Sequence, residues 1–275
     1  MQKKKTKWIF IILLACTVIA AGLFLHVQIC KKQERQQDRV RIEAYVRLQQ
    51  EAAAVWKESA GQVKIGTIST DSENFGEPVY DFDELHKENQ DIYAWLTVPG
   101  TAVDYPVLQH ETDNYYLLRN LDGSQGHPGC IYTNKCNAKA FTDYNTILYG
   151  HNMRAGTMFA GLHDFEDETF FKEHDTILVY TPEVKLTYQI YAAFAFSNAY
   201  IPAYYDVKTM EGQEKFLEAI GTYLSREGNV REGLLLTPRD QLITLSTCVK
   251  GDYGRRYLVI GKLVKSTYYK KVEGK

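Results

Sequence analysis

The stretch Leu242-Ile243-Thr244-Leu245-Ser246-Thr247-Cys248 is a short run of apolar and β-branched residues that ends in a thiol. It follows the turn signal Pro238-Arg239-Asp240 and favours a buried strand over a helix. A strand here would present the Cys248 thiol at its carboxyl end. Taken alone, the thiol is also compatible with an ordinary small buried residue.

Two further strand-like runs would bring other reactive side chains to strand ends. Thr146-Ile147-Leu148-Tyr149 is followed by Gly150 and His151, and Arg256 opens a run that continues to Val264. A thiolate is a nucleophile, an imidazole can protonate a departing amine, and a fixed cation can stabilise an oxyanion. Together these three residue types suit acyl transfer through a thiol.

The chain resembles the sortases, and class B sortases most closely, over a region from about residue 82 to residue 264. The resemblance rests on segments in the family's order: Gly100 to Gln109, Ile147 to Met153, Gly156 to Phe159, Thr244 to Cys248 and Arg256 to Lys262. It implies that Cys248 is the nucleophile, His151 the general acid and base, and Arg256 the clamp for oxyanion or substrate.

Residues beside the predicted triad leave alternatives open. Arg255 is the rival of Arg256, but it would point to the opposite strand face, and Arg256 directly precedes the hydrophobic run as the family's arginine does. Ser246 and Thr247 are candidates for orienting substrate, or for hydrogen bonding to the imidazole or guanidinium. Their alternative role is strand packing.

The remaining cysteines of the predicted catalytic domain have three possible roles. Cys130 and Cys136 are compatible with a disulfide or with a metal site using His127 or His151, but Cys130 fits an ordinary strand residue better. We therefore expect no metal and no cofactor. Many class B members carry an Asp shortly after a Gly-x-Ile-Phe strand, where this chain has Gly129 to Asn134 and then Lys135.

The predicted domain organisation begins at the membrane. Residues 8–29 form an apolar run long enough to cross a hydrocarbon core of about 30 Å, and lysines before it favour a cytoplasmic tail at residues 1–7. A cleaved signal peptide and a lipoprotein signal at Cys16 are disfavoured because the apolar run continues beyond their cleavage sites. We expect a helical stalk at 30–60, a linker at 61–81 and a catalytic domain at 82–275. The resemblance implies a single-pass cell-membrane protein with that domain outside the cell.

The pattern of predicted elements indicates the fold class. Many strand-like runs with few helices predict a mainly β protein with an antiparallel closed barrel, and the resemblance implies about eight strands and a sortase-like architecture. Helical spacing predicts helices over residues 82–96 and 210–226, and a helical pattern over residues 157–173. The helix over 210–226 coincides with a long helix at this point in class B sortases.

Composition and the resemblance together define the expected partners. A net charge of −2 and the lack of a basic block in the predicted catalytic domain argue against a nucleic-acid partner. The resemblance implies surface proteins with a C-terminal sorting signal as substrates. These would be cleaved at a Thr-containing peptide bond through a Cys acyl-enzyme and transferred to an amine of a peptidoglycan precursor resembling lipid II. Two alternatives are a pilus-polymerising sortase, which would use a pilin lysine, and a catalytically inactive membrane-anchored binding protein.

Overall fold

The structure, a computed structural model, describes residues 79–269. The predicted tail, membrane anchor and stalk, and the linker up to residue 78, lie outside the described residues. Between residues 79 and 269, no helix has the length and apolar character needed to cross a membrane. The predictions for the N-terminal segments therefore remain predictions.

Nine strands lie within the described residues. In chain order they are β1 Ile92–Thr97, β2 Asp104–Leu108, β3 Ile131–Thr133, β4 Asn145–Tyr149, β5 Thr176–Tyr180, β6 Val184–Ser197, β7 Asn229–Val230, β8 Leu242–Val249 and β9 Asp252–Tyr268. The run that carries Cys248 is thus a strand, as predicted, and it extends one residue further. Arg256 lies inside β9 rather than at its start.

Eight of these strands close into a barrel. They are hydrogen-bonded in the order β5-β1-β2-β3-β4-β8-β9-β6, and β6 pairs back with β5, while the two-residue β7 adds to β6. The predicted closed barrel of about eight strands is confirmed. The prediction that it is antiparallel is wrong at two places, because β2 pairs with β3 and β4 with β8 in parallel. Parallel neighbours need a long crossover, and residues 109–130 and 150–241 supply one each.

The helices of the described region lie in the connections between strands. They are α1 Phe82–Glu88, α2 Glu168–Glu173, α3 Ile201–Tyr205 and α4 Met210–Leu224, with 3₁₀ helices at Tyr115–Leu117 and Phe159–Glu166. The predicted helix over 82–96 is wrong beyond Glu88. Asn89 ends α1, and Ile92 and Leu96 belong to β1, where tertiary pairing overrides the helical spacing.

Alternation along β8 and β9 decides which side chains face the barrel interior. Ile243 and Leu245 of β8 and Val259 of β9 belong to the buried core cluster that the strands enclose. Side chains two residues apart share a face and neighbours take opposite faces. Ser246 and Cys248 therefore point to the outer face of the sheet.

Candidate active site

A cavity of about 200 Å³ lies over the outer face of the sheet, where β4 and β8 end. Its lining includes Cys248, His151 and Arg256, together with Ser246 and Thr247. The structure thus brings together all five residues predicted from sequence. The other lining residues are Asn114, Leu117, Tyr132, Tyr149, Gly150, Ser197, Asn198, Ala199, Tyr200, Ile201 and Leu258.

The thiol and the guanidinium are brought together by strand register. Cys248 of β8 is the direct antiparallel partner of Arg256 of β9. Directly opposed residues have Cβ atoms about 4.5–5.5 Å apart, so register alone places these two side chains side by side on one face. Arg255, on the opposite face, makes ion pairs with Asp252 and Glu227 at 2.7 and 3.2 Å. The preference for Arg256 over Arg255 therefore agrees with the geometry.

His151 is fixed from two sides. Its Nε2 lies 2.7 Å from the carbonyl oxygen of Leu117, and the ring of His127 packs edge-on against it with centroids 4.8 Å apart. A carbonyl can only accept, so Nε2 carries a hydrogen and donates it. Nδ1 is then the ring nitrogen left to take up or release a proton. The residue before it, Gly150, donates its N–H to the Ser246 carbonyl at 3.2 Å, which joins β4 to β8 at this point.

Ser246 and Thr247 occupy different roles. Ser246 is buried and lines the cavity beside the thiol. The Thr247 hydroxyl donates to the Gly150 carbonyl at 2.8 Å. This hydrogen bond goes to the backbone rather than to the imidazole or the guanidinium, so Thr247 supports the loop that carries His151.

Tyrosines form neutral walls around the cavity. Burial raises the pKa of Tyr132 and of Tyr149 well above the ordinary value for a phenol, and Arg256 partly offsets the effect at Tyr132. Burial and a contact with Cys136 raise the pKa of Tyr200 to about 12. All three phenols are therefore uncharged near neutral pH. Of the side chains that line the cavity, Arg256 therefore supplies the fixed charge that faces a ligand.

The other described cysteines are free thiols, so the structure contains no bridge between Cys130 and Cys136. Cys130 is buried, with its Sγ 3.4 Å from the carbonyl of Arg119, and burial raises its pKa to about 12. Cys136 is partly exposed, with its Sγ 3.3 Å from the Tyr200 hydroxyl. The interpretation of Cys130 as an ordinary buried residue agrees with this placement.

Two of the quoted sequence segments have structural roles beside the site. The Gln109 side-chain amide donates to Thr133 Oγ1 and to the carbonyls of Asn134 and Asn137, at 2.8–3.2 Å. The Tyr105 hydroxyl accepts the backbone N–H of Met158 at 3.0 Å. These contacts fasten the loops after β3 and after His151 to β2.

Sequence reasoning missed the groups that hold the reactive residues in place. The Leu117 carbonyl orients His151, and the side chains of Asn152 and His163 both contact the Cys248 carbonyl. The side chain of His163 is only 20% exposed. No local pattern could have indicated these contacts, because their partners are 34 to 96 residues apart.

Comparisons with known proteins agree with the fold. The sortase domain family profile matches residues 96–264, so the chain belongs to the sortase family. Sortase B of Listeria monocytogenes is 32% identical over 191 residues, covering 69% of this chain and 76% of the relative. Relatives of this kind place the chain among the class B sortases, which are cysteine transpeptidases.

Solved structures show the same relationship. The Staphylococcus aureus sortase B–substrate complex superimposes with a TM-score of 0.60 at 25% identity, covering 85% of this chain and 99% of that one. A Streptococcus pyogenes class B sortase involved in pilus biogenesis gives a TM-score of 0.58 at 28% identity. It covers 67% of this chain and 98% of that one.

Proposed function

We propose that this class B sortase uses Cys248 as nucleophile, His151 as general acid and base, and Arg256 to stabilise the oxyanion. The observation that carries the proposal is the convergence of the three side chains in one cavity, with Cys248 and Arg256 as direct cross-strand partners. Register and hydrogen bonding hold them before any substrate arrives, which is the arrangement that acyl transfer requires.

The proposed reaction has two acyl-transfer steps. The Cys248 thiolate attacks the carbonyl carbon of a threonine in a C-terminal sorting motif, and Arg256 stabilises the resulting oxyanion. As the intermediate collapses, the C–N bond breaks and His151 gives its proton to the leaving amine, which leaves a thioester. An acceptor amine then attacks, His151 takes up its proton, and the thiolate departs as the new amide forms.

We propose surface proteins with a sorting signal as the acyl donors and an amine of a peptidoglycan precursor as the acceptor. Membership of the sortase family supports the donor class. Ser246, beside the thiol, is proposed to contact the substrate, while Thr247 acts through Gly150. The proposed anchor at residues 8–29 would hold the catalytic domain on the outer side of the cell membrane, and it rests on the sequence pattern alone.

A second candidate differs only in the acceptor. The similarity to the class B sortase of Streptococcus pyogenes involved in pilus biogenesis favours considering a pilin lysine as the attacking amine. The same three residues would serve that reaction. The identity of the accepted amine therefore separates the two functions.

The test is transpeptidation by the full-length chain in detergent micelles. Sorting peptides that contain threonine are incubated with either a peptidoglycan stem-peptide amine or a lysine-containing pilin peptide, and products are identified by mass. The wild type should form the amide with the stem-peptide amine, and a product with only the pilin peptide would support the second candidate. Cys248→Ala should abolish both the thioester and the amide. Persistent amide formation by this variant would refute the assignment. Binding of the sorting peptides by the wild type without any product would instead favour the catalytically inactive binding protein.

The neighbouring arginines provide a matched pair for the same assay. Arg256→Gln removes the cation opposite Cys248 and should lower kcat by about 10²–10³-fold, as loss of an oxyanion donor does. Arg255→Gln removes a cation from the other strand face, where it pairs with Asp252 and Glu227. It should leave kcat nearly unchanged. Equal losses in the two variants would contradict the role of Arg256.

The membrane topology has its own test. Single cysteines placed at the N-terminus and on exposed parts of the catalytic domain are labelled on intact cells with a membrane-impermeant maleimide. Only the domain positions should react. Labelling of the N-terminal position alone would reverse the proposed orientation.

A further inference from the structure

The backbone carbonyl of Cys248 accepts hydrogen bonds from two side chains outside its own sheet. Asn152 Nδ2 and His163 Nε2 each lie 3.1 Å from this oxygen. A carbonyl has two lone pairs, so both are used. The β8–β9 register also shifts between Cys248 and Val249, so the regular ladder ends at the residue that carries the thiol. The two side chains therefore fix a peptide that the sheet itself does not hold in regular pairing.

His163 is a rigid donor because its own surroundings hold it. It lies in the 3₁₀ helix Phe159–Glu166, whose Phe159, Leu162 and Phe165 are fully buried in the core. Its Nδ1 is 2.6 Å from Glu166 Oε1. Its ring also stacks on Tyr257 with centroids 4.7 Å apart and 25° between the planes. One imidazole thus contacts both β8 and β9.

Both hydrogen-bond partners of His163 are acceptors. The Cys248 carbonyl faces Nε2, which needs a hydrogen to bond to it, and the Glu166 carboxylate faces Nδ1. The remaining neighbour is neutral, since burial and the charges of Glu166 and Glu227 raise the pKa of the Tyr257 phenol. Glu166 therefore holds the ring from the side opposite the Cys248 carbonyl.

The second donor links this carbonyl to the loop of the proposed general acid. Asn152 directly follows His151 in sequence, and Tyr257 directly follows Arg256. The Cys248 carbonyl, with His163 and Asn152 bonded to it, is therefore connected to the segments that carry all three reactive side chains. A displacement of this carbonyl would move the thiol relative to both Arg256 and His151.

We propose that His163, held by Glu166, is a positioning residue that fixes the Cys248 peptide and so keeps the thiol aligned with Arg256 and His151. The inference rests on the proposed role of Cys248. His163 itself contacts the carbonyl of the nucleophilic residue and not the reacting atoms. Misplacing a reacting group by about 1 Å can cost a large part of the rate, so a clamp of this kind has a measurable effect.

The test uses the full-length chain, the sorting-peptide assay and two substitutions of one residue. His163→Leu removes the donor, and His163→Gln keeps a side-chain N–H that can reach the same carbonyl. We expect His163→Leu to lower kcat about tenfold or more with KM little changed, and His163→Gln to recover most of the loss. The rate at which iodoacetamide alkylates Cys248 should change in parallel with kcat. Glu166→Gln should cause a smaller loss that nearly disappears in the His163→Leu background.

A matched control comes from another histidine. His86 Nε2 lies 2.7 Å from the Ile92 carbonyl, so it makes the same kind of contact in α1, outside the cavity lining. His86→Leu should leave kcat unchanged at a temperature where all variants are folded by circular dichroism. If His163→Leu does not fold, the kcat values of His163→Gln and Glu166→Gln test the inference.

Two results would overturn the inference: wild-type kcat in His163→Leu, or equal loss in the Leu and Gln variants. If His163→Leu does not fold, the inference would be overturned by wild-type kcat in Glu166→Gln together with a tenfold loss of kcat in His163→Gln. Each leaves the proposed function standing as long as Cys248→Ala is inactive. Activity in Cys248→Ala would instead refute the proposed function itself.

Discussion

Gly150→Ala should disable the enzyme by crowding the residue that precedes His151. A Cβ built at Gly150 would lie well inside van der Waals contact of Ile131 Cδ1 and 2.8 Å from Phe159 Cδ2. Both neighbours are buried core residues that cannot swing into solvent. The glycine itself cannot retreat easily, because its N–H bonds to Ser246 and its carbonyl accepts from Thr247.

The size of the effect follows from the overlap. Forcing a methyl into a packed core costs about 1–3 kcal/mol, and a domain of this size loses about 2–4 °C in Tm per kcal/mol. We therefore expect Tm to fall by roughly 2–12 °C. His151 must move with Gly150, so kcat should fall by about tenfold or more even at a temperature where the variant is folded. Differential scanning calorimetry and the sorting-peptide assay measure the two effects.

A second substitution tests the cause. Ile131→Val removes the Cδ1 atom that the new methyl would meet, and by itself costs about 0.5–1.5 kcal/mol. The loss of stability in the double variant should be smaller than the sum of the losses in the two single variants, because the space vacated by Ile131 accepts part of the methyl. Full additivity, or a Gly150→Ala variant with unchanged Tm and kcat, would refute the reasoning.

Three further predictions concern groups around the site and in the barrel. Thr244→Val removes the buried 2.8 Å hydrogen bond to Asn145 Oδ1 and should cost about 1–3 kcal/mol in urea unfolding, with KM unchanged; no loss would contradict it. The hydrogen bond from the Thr176 hydroxyl is the main cause of the lowered pKa of Asp175 in the folded protein. The ionised Asp175 therefore stabilises the fold at pH values above its unfolded-state pKa, and this stabilisation is lost as pH falls through its folded-state pKa. Asp175→Asn should therefore flatten the acid limb of Tm against pH, and an unchanged limb would disprove this. At about pH 8 iodoacetamide should label the thiol at the end of β8 and spare Cys130, whose pKa burial raises to about 12, as peptide mapping can check.

Local patterns in the sequence predicted the strands that present the reactive groups. The runs at β4, β5 and β8 have the length, β-branched content and flanking turn signals of buried strands, and the structure has strands at these places. Because a strand fixes where its last residue lies, Cys248 and His151 were predictable as residues at strand ends. The resemblance to sortases added Arg256 and the order in which the parts occur.

Other features depended on contacts between distant segments. Residues 89–96 share their helical spacing with α1, yet pairing of β1 with β2 and β5 makes Ile92 to Thr97 a strand. The two parallel pairings of the barrel were missed for a similar reason, since a run of apolar residues contains no information about the direction of its neighbour.

By itself, the sequence determined the positions of the thiol, imidazole and guanidinium along the chain and the family to which they belong. The tertiary structure decided what holds them: the cross-strand register of Cys248 with Arg256, the Leu117 carbonyl on His151, and the His163 donor behind the thiol. The physical reason is range. Hydrophobic periodicity reports on neighbours a few residues apart, whereas His163 and Cys248 are 85 residues apart and meet only when the barrel closes.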